Sequence, residues 1–270
     1  MKILFQFDPV EKERLRPILL EHIKHAESLG HPRFPRGTKR GPLAIVGGGP
    51  SIRNHIERLM YWPGEIWAVN GAWNWCRERG IDATFFSVDP AEGVAELCRG
   101  ARKAILSYCV HPSVFKSLAR ETKIIAPLTY MVPTPPHPET VGCGPTTAST
   151  APDVATKMGY SPITFFGCES SYVPEVGTHA YMDEPQENLM IVTCGDRAFA
   201  TEPEYISQAE CLSEIIRKFP DVFKEESGGL LRAMVEIGPE WDCVATQPGM
   251  AERLTYPNGT VGGSKEELFA

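Results

Sequence analysis

The chain has 270 residues, of which 42% are apolar and 23% charged, enough for one large domain or two small ones around a buried core. Its formal charge of −7 excludes a broadly basic nucleic-acid coat, because neutralising a phosphate backbone takes a surplus of Lys and Arg on the binding face. The 24 Gly and 24 Pro stay below the share that marks disorder and predict many turns and irregular loops.

From the N-terminus, Met1-Lys2-Ile3-Leu4-Phe5 turns polar too soon for a signal peptide, and no apolar stretch reaches the length of a membrane span. Residues 10–29 carry Leu15, Ile18, Leu19, Ile23 and Ala26 on a helical stripe, with Pro17 either inside the helix or marking its start. A Pro-, Arg- and Lys-rich segment follows, in which Arg33, Arg36, Lys39 and Arg40 read as a solvated linker. Short apolar runs at 43–46, 65–70, 83–88, 103–108, 123–126 and 163–166 are strand candidates. Helical stretches near 51–60, 71–79, 91–99, 112–120 and 150–158 alternate with them, and a longer helix is expected over 204–219. Buried strands alternating with helices predict an α/β fold with a doubly wound, mostly parallel sheet. The expected organisation is an N-terminal helix and basic linker (1–40), a sheet domain (41–215) and a loop-rich C-terminal extension (216–270).

The eight cysteines stand singly, without C-x-x-C pairs or zinc-ligand spacing, and read as free, mostly buried thiols of a reducing compartment. A cytoplasmic protein without a membrane partner is expected. Asn258-Gly259-Thr260 fits a glycosylation sequon but reads as a turn.

Four groups of residues could carry chemistry. Gly47-Gly48-Gly49-Pro50-Ser51 lies between the first strand and a helix, where glycines allow a tight turn and a helix N-terminus offers N–H groups to an anion. Pro50 suits a first helical turn, and Ser51 can bind a phosphate or cap the helix. Ile52 replaces the third glycine of the dinucleotide fingerprint, Asn70 stands where ribose-binding enzymes place an acid, and no P-loop sequence is present. The second group is Asn70, Asp89 and Gly167-Cys168-Glu169, all at strand ends, where open α/β sheets bind ligands. The third is Gly142 to Thr150, in which Thr146 and Thr147 open either an anion cradle or an ordinary helix cap; Pro152 requires a start near Thr150 or a kink. The fourth is the loop from Tyr172 to Tyr181, where His179 could act as acid or base. His137, in the Pro-rich stretch 132–138, could belong to a lid. Trp62, Trp67, Trp73 and Trp75 are read mainly as core, with base stacking open to one of them.

The ordered set Gly-Gly-Gly-Pro-Ser, Val69-Asn70, Val88-Asp89-Pro90, Met158-Gly159-Tyr160, Gly167-x-Glu169 and Thr178-His179-Ala180 resembles the MptE-like family, named for 6-hydroxymethyl-dihydropterin diphosphokinase. It resembles more distantly the motility accessory factors and the CMP-sialic acid sialyltransferases. Gly195-Asp196-Arg197-Ala198-Phe199 and Gln208-Ala209-Glu210 look most like a phage branch, which would place the protein in a host cytoplasm. The resemblance spans about residues 41–215 and implies a Rossmann-like, nucleotide-binding transferase.

It also implies that Gly48, Gly49 and Ser51 cradle a donor phosphate, and that Asn70 and Asp89 hold nucleotide or substrate. Thr146 and Thr147 would contact phosphate, and His179 would act in catalysis. Glu169 departs from the family's usual Asp by one methylene. The first expectation is therefore glycosyl transfer from a nucleotide or nucleotide-sugar donor to a hydroxyl acceptor. The alternatives are Mg²⁺-ATP-dependent diphosphate transfer, with Asp89 and Glu169 or Asp183 as metal ligands, and a nucleotide-binding protein without catalysis.

Overall fold

The computed structural model describes residues 9–31, 36–119, 141–142, 144–172, 179–181, 189–238 and 240–246. The strand expected at 123–126, together with Arg33, His137, Cys143, Asp183 and Asn258, lies outside them. The chain divides into two compact units, one within Gln6–Ile45 and Glu57–Ile163, the other within Val46–Ile56 and Thr164–Ala270.

The strands β1 (Leu43–Val46), β2 (Glu65–Val69), β3 (Thr84–Ser87), β4 (Ala104–Leu106), β5 (Ile163–Phe166) and β8 (Phe223–Glu225) build a six-stranded sheet in the order β4-β3-β2-β1-β5-β8. β2 pairs with β3 and β3 with β4 in parallel, and every residue of β1, β4 and β5 is buried. Continuous apolar strands of this kind are what a sheet covered on both faces demands. The fold is the expected Rossmann-like α/β architecture.

In the first unit, α1 (Pro9–Ser28) buries Leu19, Ile23 and Ala26 against Tyr108 and Cys109, with Phe115 of α5 (Pro112–Ser117) beside them. Pro17 lies inside α1 rather than at its start. α3 (Ala72–Glu78) and α4 (Val94–Leu97) follow β2 and β3. α6 (Thr147–Met158) starts at Thr147, with Pro152 inside it. Pro152 offers no N–H to the carbonyl one turn back. The helix starts early because Thr146 and Ser149 form a reciprocal capping box, and it ends on Gly159 at φ 102°.

In the second unit, the short 3₁₀ helix η1 (Pro50–His55) opens with proline, as the sequence suggested. From Ile56, the last residue of the stretch Val46–Ile56, α2 (Ile56–Met60) carries the chain into the first unit. β6 (Met190–Cys194) and β7 (Arg197–Thr201) form an antiparallel hairpin whose two-residue turn places Gly195 at φ 63°. Within the stretch read as a loop-rich extension, the structure adds β8, α8 (Gly229–Ile237) and β9 (Trp241–Thr246). β9 pairs with β6 in a three-stranded sheet of order β7-β6-β9. Helices α7 (Pro203–Lys218) and α8 pack on this sheet through Ile206, Ala209, Leu230, Ala233 and Met234, against Val192 and Phe199.

Candidate functional site

The glycine turn after β1 is tied to the segment after β5. Gly47 N–H donates to the Phe166 carbonyl at 2.7 Å and Gly49 N–H to that of Gly167 at 2.8 Å. Pro50 has no N–H. The Ser51 N–H and hydroxyl both donate to the Glu169 carboxylate, at 2.7 and 2.9 Å. The Glu169 carboxyl is thus the acceptor held where η1 begins, and glycine is required at position 49 because a Cβ there would run into that carboxyl.

Glu169 is 3% exposed. Burial pushes its carboxyl up to about 7, with the charge of Glu225 adding to the rise and the Ser51 hydrogen bonds opposing it. Its backbone is equally committed: the Glu169 carbonyl accepts from Leu231 N–H at 3.1 Å, in the first turn of α8. Ser170 follows with φ 58°, a left-handed conformation uncommon for serine. It is held by Thr201, whose hydroxyl donates to the Ser170 carbonyl at 2.8 Å, and by the Gln208 amide, which donates to the Ser170 hydroxyl at 2.9 Å. A strained residue persists only where its surroundings over-determine it, and this one adjoins the buried acid.

Residues 179–181 lie on the other side of the turn. Ala180 N–H donates to the Gly48 carbonyl at 2.8 Å, while Arg53 donates to the Ala180 carbonyl through Nε at 3.2 Å and Nη2 at 2.5 Å. The flanking His179 and Tyr181 side chains rest on Gly48, so that a Cβ there would lie 2.7 Å from His179 Cδ2 and collide with the Tyr181 hydroxyl. His179 Nε2 and the Tyr205 hydroxyl are 3.3 Å apart. Burial raises both tyrosine hydroxyls above their ordinary range; at Tyr205 the charges of Glu204 and Glu202 add to it. The structure therefore brings Gly48, Gly49, Ser51, Glu169 and His179 together in one unit. Among the described residues, the Gly48 N–H has no protein acceptor.

The remaining sequence candidates belong to the other unit. Asn70 follows β2 with φ 47°, a conformation asparagine tolerates, and its Oδ1 is buried without a partner among the described residues. Asp89 Oδ1 accepts from Ala91 N–H at 2.8 Å, while its own N–H donates to the Ser87 hydroxyl at 3.3 Å. Thr146 is a cap: its hydroxyl accepts from Ser149 N–H at 3.2 Å, and Thr147 is buried behind it. In the linker, Arg40 donates to the carbonyls of Gly37 and Lys39, and Lys39 pairs with Glu65. Trp67, Trp73 and Trp75 are core residues.

Sequence reasoning missed Arg53, which holds the Ala180 carbonyl, Tyr205, whose hydroxyl meets His179, and Thr201, which anchors Ser170. Gln208 stood in a noted motif, without a role. No local pattern announces such residues, since their partners lie tens of positions away. No cluster of three or more metal-ligating side chains occurs among the described residues.

The 6-hydroxymethylpterin diphosphokinase MptE-like family model matches residues 19–175, more than half of the chain; Glu169 lies inside the match and His179 beyond it. No curated protein matches the chain in sequence. Among solved structures, the fold resembles that of the MAf glycosyltransferase from Magnetospirillum magneticum AMB-1, with a TM-score of 0.56 and 16% identity over 87% of this chain. The match spans 43% of that longer protein, and at this identity it speaks for the fold alone. With glycine turn, parallel sheet and matched sequence span in agreement, the chain belongs to the MptE-like family.

Proposed function

We propose that this protein is a nucleotide-dependent transferase that moves a glycosyl group from a nucleotide-activated sugar to a hydroxyl acceptor. The observation that carries the reading is the seating of the His179 imidazole on the backbone of Gly48. It sets a group with an ordinary pKa near neutrality beside the turn at which α/β folds receive phosphate. The acceptor oxygen attacks the anomeric carbon, the bond from that carbon to the phosphate oxygen breaks, and the acceptor proton passes to His179. The nucleotide leaves with the bonding electron pair, and the Gly48 N–H is the donor disposed toward its negative charge. Ser51 serves this site indirectly, by holding Glu169. Thr146 and Thr147 are assigned to the support of α6.

The family's description favours a second reading, transfer of diphosphate from ATP to a hydroxymethyl heterocycle. That chemistry calls on Mg²⁺ to neutralise phosphate charge, and Mg²⁺ is commonly held by one or two carboxylates plus the phosphates themselves. Asp89 fits such a role: one oxygen is taken by Ala91 N–H, and the other has no partner among the described residues.

Calorimetric titration with CMP, UDP-sugars and ATP, each with and without Mg²⁺, separates the readings. The first expects binding of a nucleotide or nucleotide-sugar without added metal, and turnover reduced by about 10²-fold or more in His179→Ala, as loss of a general base entails. Binding of ATP alone, and only with Mg²⁺, would sink it in favour of the second.

A further inference from the structure

We infer that Tyr181 is a phosphate-contact residue, whose hydroxyl forms with the Gly48 N–H a pair of donors for one phosphate group of the nucleotide. The inference deepens the proposed function and rests on that reading for the ligand that carries the phosphate.

The donors of the glycine turn are nearly all committed. Gly47 N–H goes to the Phe166 carbonyl and Gly49 N–H to that of Gly167. Pro50 has no N–H, and Ser51 gives both of its donors to Glu169. Ile52 N–H turns back to the Gly49 carbonyl at 3.2 Å. Of the N–H groups from Gly47 to Ile52, only that of Gly48 has no acceptor among the described residues. Backbone anion sites are built from several converging N–H groups, so a phosphate received here needs a second donor from outside the turn.

Tyr181 supplies that donor. Its hydroxyl lies where a Cβ of Gly48 would stand, which by covalent geometry puts the oxygen within about 5 Å of the Gly48 nitrogen. Two donors that close together can grip the same phosphate group. Among the described residues the Tyr181 hydroxyl has no hydrogen-bond partner, although the side chain is largely buried. A half-buried phenol with an undonated proton is costly unless a ligand or water accepts it. Burial also keeps that proton in place well above neutral pH. The side chain is held on the turn, because the preceding Ala180 peptide is pinned by the Gly48 carbonyl on one side and by Arg53 on the other. Glycine at position 48 is what admits the phenol to this place. As the bond from the anomeric carbon to the phosphate oxygen breaks, negative charge grows on the phosphate, and the Tyr181 O–H meets it while keeping its proton.

The test titrates inorganic pyrophosphate into the full chain, by calorimetry for wild type and Tyr181→Phe, and by ¹⁹F NMR with 3-fluorotyrosine placed at position 181. The expected result is saturable binding to wild type, with a Kd raised about 10-fold or more in Tyr181→Phe, as loss of a hydrogen bond to a charged oxygen entails. The fluorine signal should shift along the same saturation curve. Equal affinity in the two proteins, no binding to wild type, or a fluorine signal that stays put while pyrophosphate binds overturns the inference. The fluorine arm reports contact in the otherwise intact protein, so it decides the matter even if Tyr181→Phe folds poorly. Pyrophosphate carries no sugar, which separates the two failures. Binding through Tyr181 without turnover of any nucleotide-sugar would remove the glycosyl reading and keep the contact, whereas turnover with an unmoved fluorine signal would do the reverse.

Discussion

Glu169 concentrates the residue-scale physics of this protein. A carboxyl at about 7 in the folded chain and near 4.5 when unfolded makes folding take up a proton. The stabilising contribution is full below about pH 4.5 and is lost as pH rises through about 7, a span worth roughly 3 kcal/mol. Glu169→Gln retains an acceptor for Ser51 N–H and cannot ionise. Between pH 4.5 and 8 the stability difference between the two proteins should therefore move by about 3 kcal/mol in favour of Glu169→Gln, read by urea denaturation at each pH. A constant difference would mean that the carboxyl is not perturbed. Glycine 49 and Ser51 could be singled out from the sequence, as could Glu169. That they serve one another could not, because 118 positions separate Ser51 from Glu169.

At the scale of elements, α6 shows a local signal that outweighed a local breaker. Pro152 suggested that the helix begins late or kinks, yet the Thr146–Ser149 capping box satisfies the first turn and the helix runs from Thr147. Thr146→Ala should cost about 1 kcal/mol, measured as a shift in the urea midpoint, and Thr146→Asn should restore most of it. If the Asn variant is as stable as wild type but binds the nucleotide more weakly, Thr146 has a ligand role besides capping. Strands β1 and β5 were legible as short apolar runs, because strands buried on both faces need apolar residues at every position. The β6–β7 hairpin was not resolved, although its turn begins with Gly195; its pairing with β9 spans some fifty residues and leaves little trace in local composition.

For the whole molecule, the described cysteines are all free thiols, as their scattered spacing suggested. Burial pushes Cys76 up to about 12 and Cys98 up to about 11, so neither is a ready thiolate at neutral pH. The melting temperature should therefore be the same with and without reductant, and a drop on reduction would reveal a disulfide. No helix among the described residues is long and apolar enough to cross a membrane.

The sequence by itself determined the α/β class, the strand-to-helix turn at Gly47–Ser51 and the family, since each rests on local spacing: apolar runs, glycines where backbones approach closely, and an ordered set of short motifs. Only the tertiary structure decided what those residues touch. It showed that the Ser51 donors are filled by Glu169, that Ser170 is held in a left-handed conformation by Thr201 and Gln208, that Arg53 holds the Ala180 carbonyl, and that the Tyr205 hydroxyl meets His179. Such partnerships depend on where distant segments meet, and a hydrogen bond between residues 26 or 118 positions apart leaves no periodicity for a sequence to display.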